Sequence, residues 1–427
     1  MTFLKNPRRV AIVGYNRIPF ARQNTAYSEA SITDMMIATL NGLVDKYNLQ
    51  GEIIGEVAGG AVIKSSAIQN LMKESIMKTA LHPNSVACDI QQACDTGIEA
   101  AIYIANKIAL GQIDVGIAGG ADSTSQVPMV LSDPLTKILL EANRAKTNAD
   151  RAKAALKIRP KHLIPIPPVN EEPLTGLSMG GHTEHTVKYH KIGRAEQDQL
   201  AYESHKKMAA AYEEGFFDDM ITPFMGLERD NNLRPDTSLE KLASLKPAFD
   251  KKSGQGTLTA GNSTPLSDGA SLVLLASEEW AKERNLPVLA YITAAQVSAI
   301  EYVEDKHNLL MAPVLAASEM LRKADMKFQD FDFYEIHEAF AGQTLATLKI
   351  WESAELSKKF GIEPLGAIDR SKLNVKGSSL AAAHPFAATG GRIIATLAKL
   401  LNEKGSGKGF ISICAARGQG ATMILEK

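Results

Sequence analysis

Two distant stretches of this chain follow one plan. Residues 96–122 read TGIEAAIYIANKIALGQIDVGIAGGAD, and residues 389–418 read TGGRIIATLAKLLNEKGSGKGFISICAARG. Each begins with Thr-Gly, runs on as an amphipathic helix, turns at glycine and ends in a short apolar strand closed by small residues. Ile98, Ala101, Ile102, Ala105, Ile108 and Ala109 line one helix face; Ile393, Ile394, Leu397, Leu400 and Leu401 line the other. The identity between them is weak, so two ordinary helix–strand units are the competing reading. A true repeat predicts a duplicated α/β chain whose halves are related by a pseudo-twofold axis.

The rest of the chain fits around these units. Arg9–Gly14 is a β-branched run ending at glycine and reads as a buried strand. Ser31–Val44 has helical periodicity, and Ser31 with Asp34 forms a loose capping box. From Gln126 to Pro247 the pattern changes: Pro160, Pro165, Pro167, Pro168 and Pro173 cluster among polar helical stretches. That segment reads as an inserted lobe. Short apolar runs return over 256–276, and from Pro287 strands and helices alternate to the end. The expected division is an N-terminal half over 1–125 completed by 248–286, an inserted loop domain over 126–247, and a C-terminal half over 287–427.

Charge and cysteine content narrow the function. With 47 basic and 48 acidic side chains, the net charge of -1 leaves no electrostatic footprint for nucleic acid. Three cysteines in 427 residues are not a disulfide framework and point to a reducing compartment. The start MTFLKNPRRVAIVG lacks the apolar core of a signal peptide, and runs such as Val115–Gly120 are too short to span a bilayer. The expectation is a soluble, cytoplasmic protein with no integral membrane segment. One local exception is Arg144–Lys161, with seven basic residues against Asp150 alone. A solvated face is the plain reading; an anion, a partner or an anionic membrane surface is the functional one.

The residues able to do chemistry sit at the repeated units. Cys94, in QQACDTG, precedes the first helix, whose N-terminal N–H groups favour a thiolate. His384, in AAAHPFAATGGR, holds the equivalent place before the second. A pseudo-twofold axis would bring the two helix N-termini together, as a Cys–His nucleophile requires. Cys414 ends the second strand beside a glycine-containing turn and can move a proton; the corresponding place in the first half is the AGG before Asp122. His337, in HEAFA, follows the apolar run Phe331–Ile336. Without HExxH, CxxC or a cluster at ligand spacing, no metal site is expected.

Taken together, RIPFAR (17–22), QQACDTG (91–97), GGADSTS (119–125), EQDQLAYESH (196–205), GTLTAGNSTPLSDGA (256–270), HEAFA (337–341), HPFAATGGR (384–392) and CAARGQGATMILE (414–426) resemble the thiolases, which cleave or form 3-ketoacyl-CoA. The resemblance implies a five-layered α-β-α-β-α fold of two similar halves with a loop domain inserted in the first. It implies Cys94 as the acylated nucleophile, His384 as its activator, and Cys414 as the acid/base at the acetyl α-carbon. His337 stands where many thiolases have asparagine; a histidine there resembles the thiolase subunits of trifunctional fatty-acid oxidation complexes and would help form one oxyanion hole, directly or through a water. The backbone N–H groups of Cys94 and Ala416 would form another, and Ser263 and Met179 would contact coenzyme A.

Coenzyme A would be a co-substrate, with no permanently bound cofactor, and the basic run would lie near its phosphates. Implied assemblies are a homodimer or dimer of dimers, with a hydratase/dehydrogenase α-subunit as a further partner. Ala383 and Arg417 depart from the glycines usual at those places. The resemblance favours fatty-acid β-oxidation. The alternatives are a short-chain acetoacetyl-CoA thiolase and a non-catalytic acyl-CoA-binding protein of the same fold; a decarboxylating ketoacyl synthase lacks the second cysteine.

Overall fold

The computed structural model describes residues 7–427; the first six, on which the leader-peptide expectation partly rests, lie outside the described residues. The first half comprises β1 (Val10–Arg17), β2 (Ala21–Arg22), α1 (Ile32–Tyr47), β3 (Glu56–Gly59), α2 (Leu71–Ile76), β4 (Ala87–Asp89), α3 (Thr96–Ala109) and β5 (Val115–Asp122). Helices α4 (Asp133–Arg144), α5 (Asn148–Ala155), α6 (Met179–Tyr189), α7 (Arg194–Glu213) and α8 (Leu239–Ala243) follow before the chain returns as β6 (Ser267–Ser277) and α9 (Glu278–Glu283). Then come β7 (Ala290–Ala299), α10 (Ala312–Ala324), β8 (Phe333–Ile336), α11 (Ala341–Glu352), α12 (Ala354–Lys359), α13 (Ser379–Ala382), α14 (Thr389–Lys404), β9 (Lys408–Ala415) and β10 (Gln419–Glu426). The box read at Ser31 is complete: its hydroxyl accepts from the Asp34 N–H, and the Asp34 carboxylate accepts from the Ser31 N–H.

Strand order shows the repeat. The first half runs β4-β3-β5-β6-β1 and the second continues as β7-β10-β9-β8. In each, the strand after the repeated helix (β5 or β9) has a parallel neighbour on one side and an antiparallel one on the other. The difference lies in the connection to that antiparallel neighbour. Between β9 and β10 it is the turn Ala416–Gly418; between β5 and β6 it is the helical segment 123–266. The halves are not separate sheets, because Val10–Ile12 of β1 pair with Ala290–Ile292 of β7.

Three apolar clusters divide five layers. Met35, Met36, Leu40 and Leu43 of α1 pack on Ile117, Leu272 and Leu274, forming the outer layer of the first half. Met320, Leu348 and Trp351 of α10 and α11 pack on Phe410 and Ile424, forming that of the second. Helices α3 and α14 lie between, with Ile98, Ile104, Ile393 and Leu397 in one cluster with Val273, Leu275, Ile411 and Ile413. The unbroken apolar run of β6 follows: alternate residues face different clusters, and both faces are covered. Helix α14 reads as amphipathic in sequence, yet residues 389–398 are all buried, including Arg392 and Thr396. A helix sandwiched between two sheets has no solvent face.

The Thr-Gly pairs explain how the two central helices meet. A Cβ on Gly390 would stand 2.3 Å from the Ile98 amide nitrogen, and one on Gly97 would stand 2.6 Å from the Ala387 carbonyl oxygen. The N-terminal turns of α3 and α14 therefore touch backbone to backbone. The helical segment is tied to β1 by a buried bidentate pair, Arg17 Nη1 and Nη2 to Asp230 Oδ1 and Oδ2 at 2.6 and 2.8 Å. Among the described residues, no helix is long and apolar enough to cross a membrane. The basic run Arg144–Lys161 is largely exposed, and two of its lysines pair with Asp150 and Glu141.

Candidate active site

Cys94 lies on the turn between β4 and α3. The Thr96 hydroxyl accepts from the Gln92 N–H (2.9 Å) and donates to the Ala93 carbonyl (2.8 Å), clamping the turn, with Ala93 at φ +48°. The second threonine of the repeat plays the matching part, with Thr389 Oγ1 lying 2.6 Å from His384 Nδ1. The other ring nitrogen, Nε2, lies 3.1 Å from Cys94 Sγ. The two helix N-termini thus deliver a thiol and an imidazole to hydrogen-bonding distance. Cys414, at the end of β9, lines the same cavity of about 270 Å³ as Cys94, His384 and Ala416. Met179, Phe249, Leu266, Leu310, Phe340 and Phe386 supply its apolar wall.

The electrostatics correct the thiolate expected at a helix N-terminus. Burial pushes the Cys94 thiol up to about 12, with the carboxylates of Asp95 and Asp122 adding to the rise. The backbone N–H groups of Ala416 and Cys94 oppose the rise without prevailing. Desolvation outweighs the helix field because Cys94 precedes the helix and sits beside its N-cap acid, Asp95. Burial, helped by the Arg392 cation, brings His384 down to about 3, and Cys414 is pushed well up by burial and by Cys94. The resting pair is therefore a thiol beside a neutral imidazole.

His337 is buried behind His384, the two ring centroids 4.2 Å apart. It is not among the residues lining the cavity; its Nδ1 meets Ser379 Oγ at 2.7 Å and its Nε2 is buried without a partner. Glu338 anchors the same loop, accepting from Ser204 Oγ (2.7 Å), Asn374 Nδ2 (2.7 Å) and the Leu380 N–H (3.2 Å). Met179 lines the cavity, but Ser263 does not: it is buried and bridges Phe340, and the wall passes to Thr264, Pro265 and Leu266. Among the described residues no cluster of His, Cys, Asp or Glu could hold a metal ion.

Both glycine departures have structural consequences. Ala383 adopts φ +83°, ψ 179°, a region open mainly to glycine, immediately before His384. Arg417 has φ +67°, and its side chain, which is not among those lining the cavity, pairs with Glu172, a buried carboxylate that also accepts from Tyr302 Oη (2.8 Å) and the Arg417 N–H (3.1 Å). The side chain that sequence could not place thus joins the turn after β9 to the helical segment. Sequence reasoning missed Asp122, whose carboxylate accepts from the Val62, Ile63 and Ala387 N–H groups at 2.8–2.9 Å. Its position at the end of β5, the strand that follows the first repeated helix, was the available signal.

Comparison with known proteins agrees with this geometry. Residues 10–279 match the thiolase N-terminal domain family, and residues 286–427 match the thiolase C-terminal domain family. The chain is 39% identical to a 3-ketoacyl-CoA thiolase of Shewanella sp. (strain W3-18-1), covering 98% of this chain and 97% of that protein. It is 41% identical to a 3-ketoacyl-CoA thiolase of Photobacterium profundum, with the same coverage. Among solved structures it is similar to the Bacillus anthracis acetyl-CoA acetyltransferase (TM-score 0.83, 29% identity, 99% and 100% of the two chains covered). It is also similar to human mitochondrial 3-ketoacyl-CoA thiolase (TM-score 0.79, 27% identity, 98% and 99% covered).

Proposed function

The chain belongs to the thiolase family, and from that premise we propose that it is an acyltransferase cleaving 3-ketoacyl-CoA with free coenzyme A. The products are acetyl-CoA and an acyl-CoA shortened by two carbons, as fatty-acid β-oxidation requires. The observation that carries this reading is the 3.1 Å contact of Cys94 Sγ with His384 Nε2 beside Cys414 in one apolar-walled cavity.

A neutral pair sets the order of events. His384 accepts the Cys94 proton on Nε2 as the sulfur attacks the 3-keto carbon, so charge develops on the substrate oxygen rather than in the resting site. The Cys94 and Ala416 N–H groups, which act against the rise of the Cys94 thiol at rest, are the proposed donors to the oxyanion; each such donor contributes roughly 10²–10³ in rate. Collapse breaks the C2–C3 bond, leaves an acyl thioester on Cys94 and expels the acetyl-CoA enolate. Cys414, a full thiol, supplies the proton to its α-carbon. Coenzyme A then gives its thiol proton to the Cys414 thiolate, its sulfur takes the acyl group, and His384 returns its proton to the departing Cys94 sulfur, which restores the resting pair.

Met179 at the cavity wall, Ser263 beside it and the exposed basic run are the proposed coenzyme A contacts. The proposal includes the division at 125/126, 247/248 and 286/287, a homodimer or dimer of dimers, a hydratase/dehydrogenase α-subunit partner, and a cytoplasmic setting. A short-chain acetoacetyl-CoA thiolase is the second reading. Its support is the cavity, whose 270 Å³ falls just below the ~300–1,000 Å³ usual for ligand pockets. Thiolysis measured from four-carbon to sixteen-carbon 3-ketoacyl-CoA, for wild type and Cys94→Ala, tests both. Activity confined to the four-carbon substrate selects the second reading, and equal activity of the two proteins removes Cys94 from the mechanism.

A further inference from the structure

Behind the cavity, three buried side chains form a hydrogen-bonded line: Arg392 Nη2 donates to Ser379 Oγ at 2.7 Å, and Ser379 Oγ meets His337 Nδ1 at 2.7 Å. All three are buried, on α14, α13 and the loop after β8. A guanidinium can only donate, so the Ser379 oxygen accepts from Arg392. Its hydroxyl hydrogen then has one acceptor in reach, His337 Nδ1, because Ser379 Oγ makes no other hydrogen bond. The reverse arrangement, with the imidazole donating, would leave that hydrogen buried and unpaired, at about 1–3 kcal/mol.

We propose that Arg392 and Ser379 are positioning residues that hold His337 as the Nε2–H tautomer, presenting its unpaired N–H as a donor to the reacting oxygen of the thioester, directly or through one water. The inference rests on the thiolytic reading for the identity of that oxygen, but the tautomer follows from hydrogen-bond directions alone. His337 Nε2 is buried and without a partner, and its ring lies against His384, which touches the nucleophile. A buried donor left free at rest has a use when an oxygen atom arrives. Burial, with the nearby Arg392 cation adding to it, keeps the ring neutral, so its single proton can be directed. The proposed reaction asks for the opposite tautomer at His384, whose Nδ1 must donate to Thr389 Oγ1 if Nε2 is to be bare for the Cys94 proton.

The test is a long-range ¹H–¹⁵N spectrum of [¹⁵N]histidine-labelled full-length protein, with His337→Asn to identify the resonance, alongside thiolysis kinetics. Wild type is expected to show His337 protonated on Nε2. Ser379→Ala is expected to shift the resonance toward the other tautomer and to lower kcat by about 10- to 100-fold with KM within about twofold, part of what one oxyanion donor supplies. Ser379→Thr should recover most of the loss. A wild-type His337 protonated on Nδ1 overturns the proposal, as does Ser379→Ala with unchanged tautomer and kcat. Should Ser379→Ala fail to fold, the wild-type spectrum alone decides. A wild type showing the Nε2–H form but no thiolysis would sink the thiolytic reading while upholding the tautomer.

Discussion

Replacing Thr389 by valine removes one oxygen and keeps the shape, which makes it a clean probe of how His384 works. Thr389 is fully buried, and its Oγ1 has one hydrogen-bond partner, His384 Nδ1 at 2.6 Å. If Nε2 is to receive the Cys94 proton, the ring's own proton must sit on Nδ1 and be donated to Thr389. That bond is neutral at rest, about 0.5–1.5 kcal/mol, and becomes charge-assisted, about 1.5–3 kcal/mol, once the imidazolium forms. Valine also leaves Nδ1–H without an acceptor, which pushes the ring toward the tautomer that cannot accept from Cys94. The resting bond is lost as well, so the barrier rises by the difference, about 1–1.5 kcal/mol, which corresponds to about 5- to 13-fold in rate. The assay is the half-reaction, rapid-quench transfer of acetyl from acetyl-CoA to Cys94, followed by mass. Thr389→Ser should restore it, and urea midpoints should match. A Thr389→Val protein that is folded and acylated within twofold of the wild-type rate would refute this account of His384.

Three other outcomes follow from the structure. Asp230→Asn strips the partner from buried Arg17 and should cost about 3–5 kcal/mol in urea unfolding; Asp236→Asn, which breaks an exposed pair with Lys241, should leave the midpoint unchanged. Glu335 is buried with both oxygens unpartnered and its carboxyl pushed up to about 8 by burial. Its folded pKa exceeds the unfolded value of about 4.3, so its contribution is whole below about pH 4 and is lost as pH rises to about 8. Glu335→Gln should therefore match wild type near pH 4 and become progressively more stable than it up to pH 8; a gap constant with pH would contradict this. Gly390→Ala forces a Cβ onto the Ile98 amide and should lose at least about 1–3 kcal/mol, read as a lowered unfolding midpoint.

Much of this is legible in the sequence because the information is periodic. The repeated Thr-Gly-helix-strand unit carries the duplicated architecture, and it pairs Cys94 with His384. The same repeat holds two threonines and two glycines whose roles emerge only in three dimensions: Thr96 and Thr389 hold the reactive groups, and Gly97 and Gly390 let the helices touch. What stays hidden depends on burial from several sides at once. Helix α14 looks one-faced in sequence, because a pattern of apolar residues cannot reveal a second sheet packed against the polar face. The charge state of Cys94 escapes a sequence reading for a related reason: helix position can be read along the chain, whereas desolvation and the nearby carboxylates come from distant segments. Arg417 and Ser263 are placed in sequence only by analogy. The structure pairs the one with Glu172 and sets the other just outside the cavity lining.

The central claim is that Cys94 carries the acyl group. Incubation of the protein with a 3-ketoacyl-CoA in the absence of free coenzyme A, followed by peptide mass analysis, tests it most directly. An added acyl mass is expected on the peptide containing Cys94, absent in Cys94→Ala and discharged by added coenzyme A. No adduct at any chain length, or one that persists in Cys94→Ala, would contradict it.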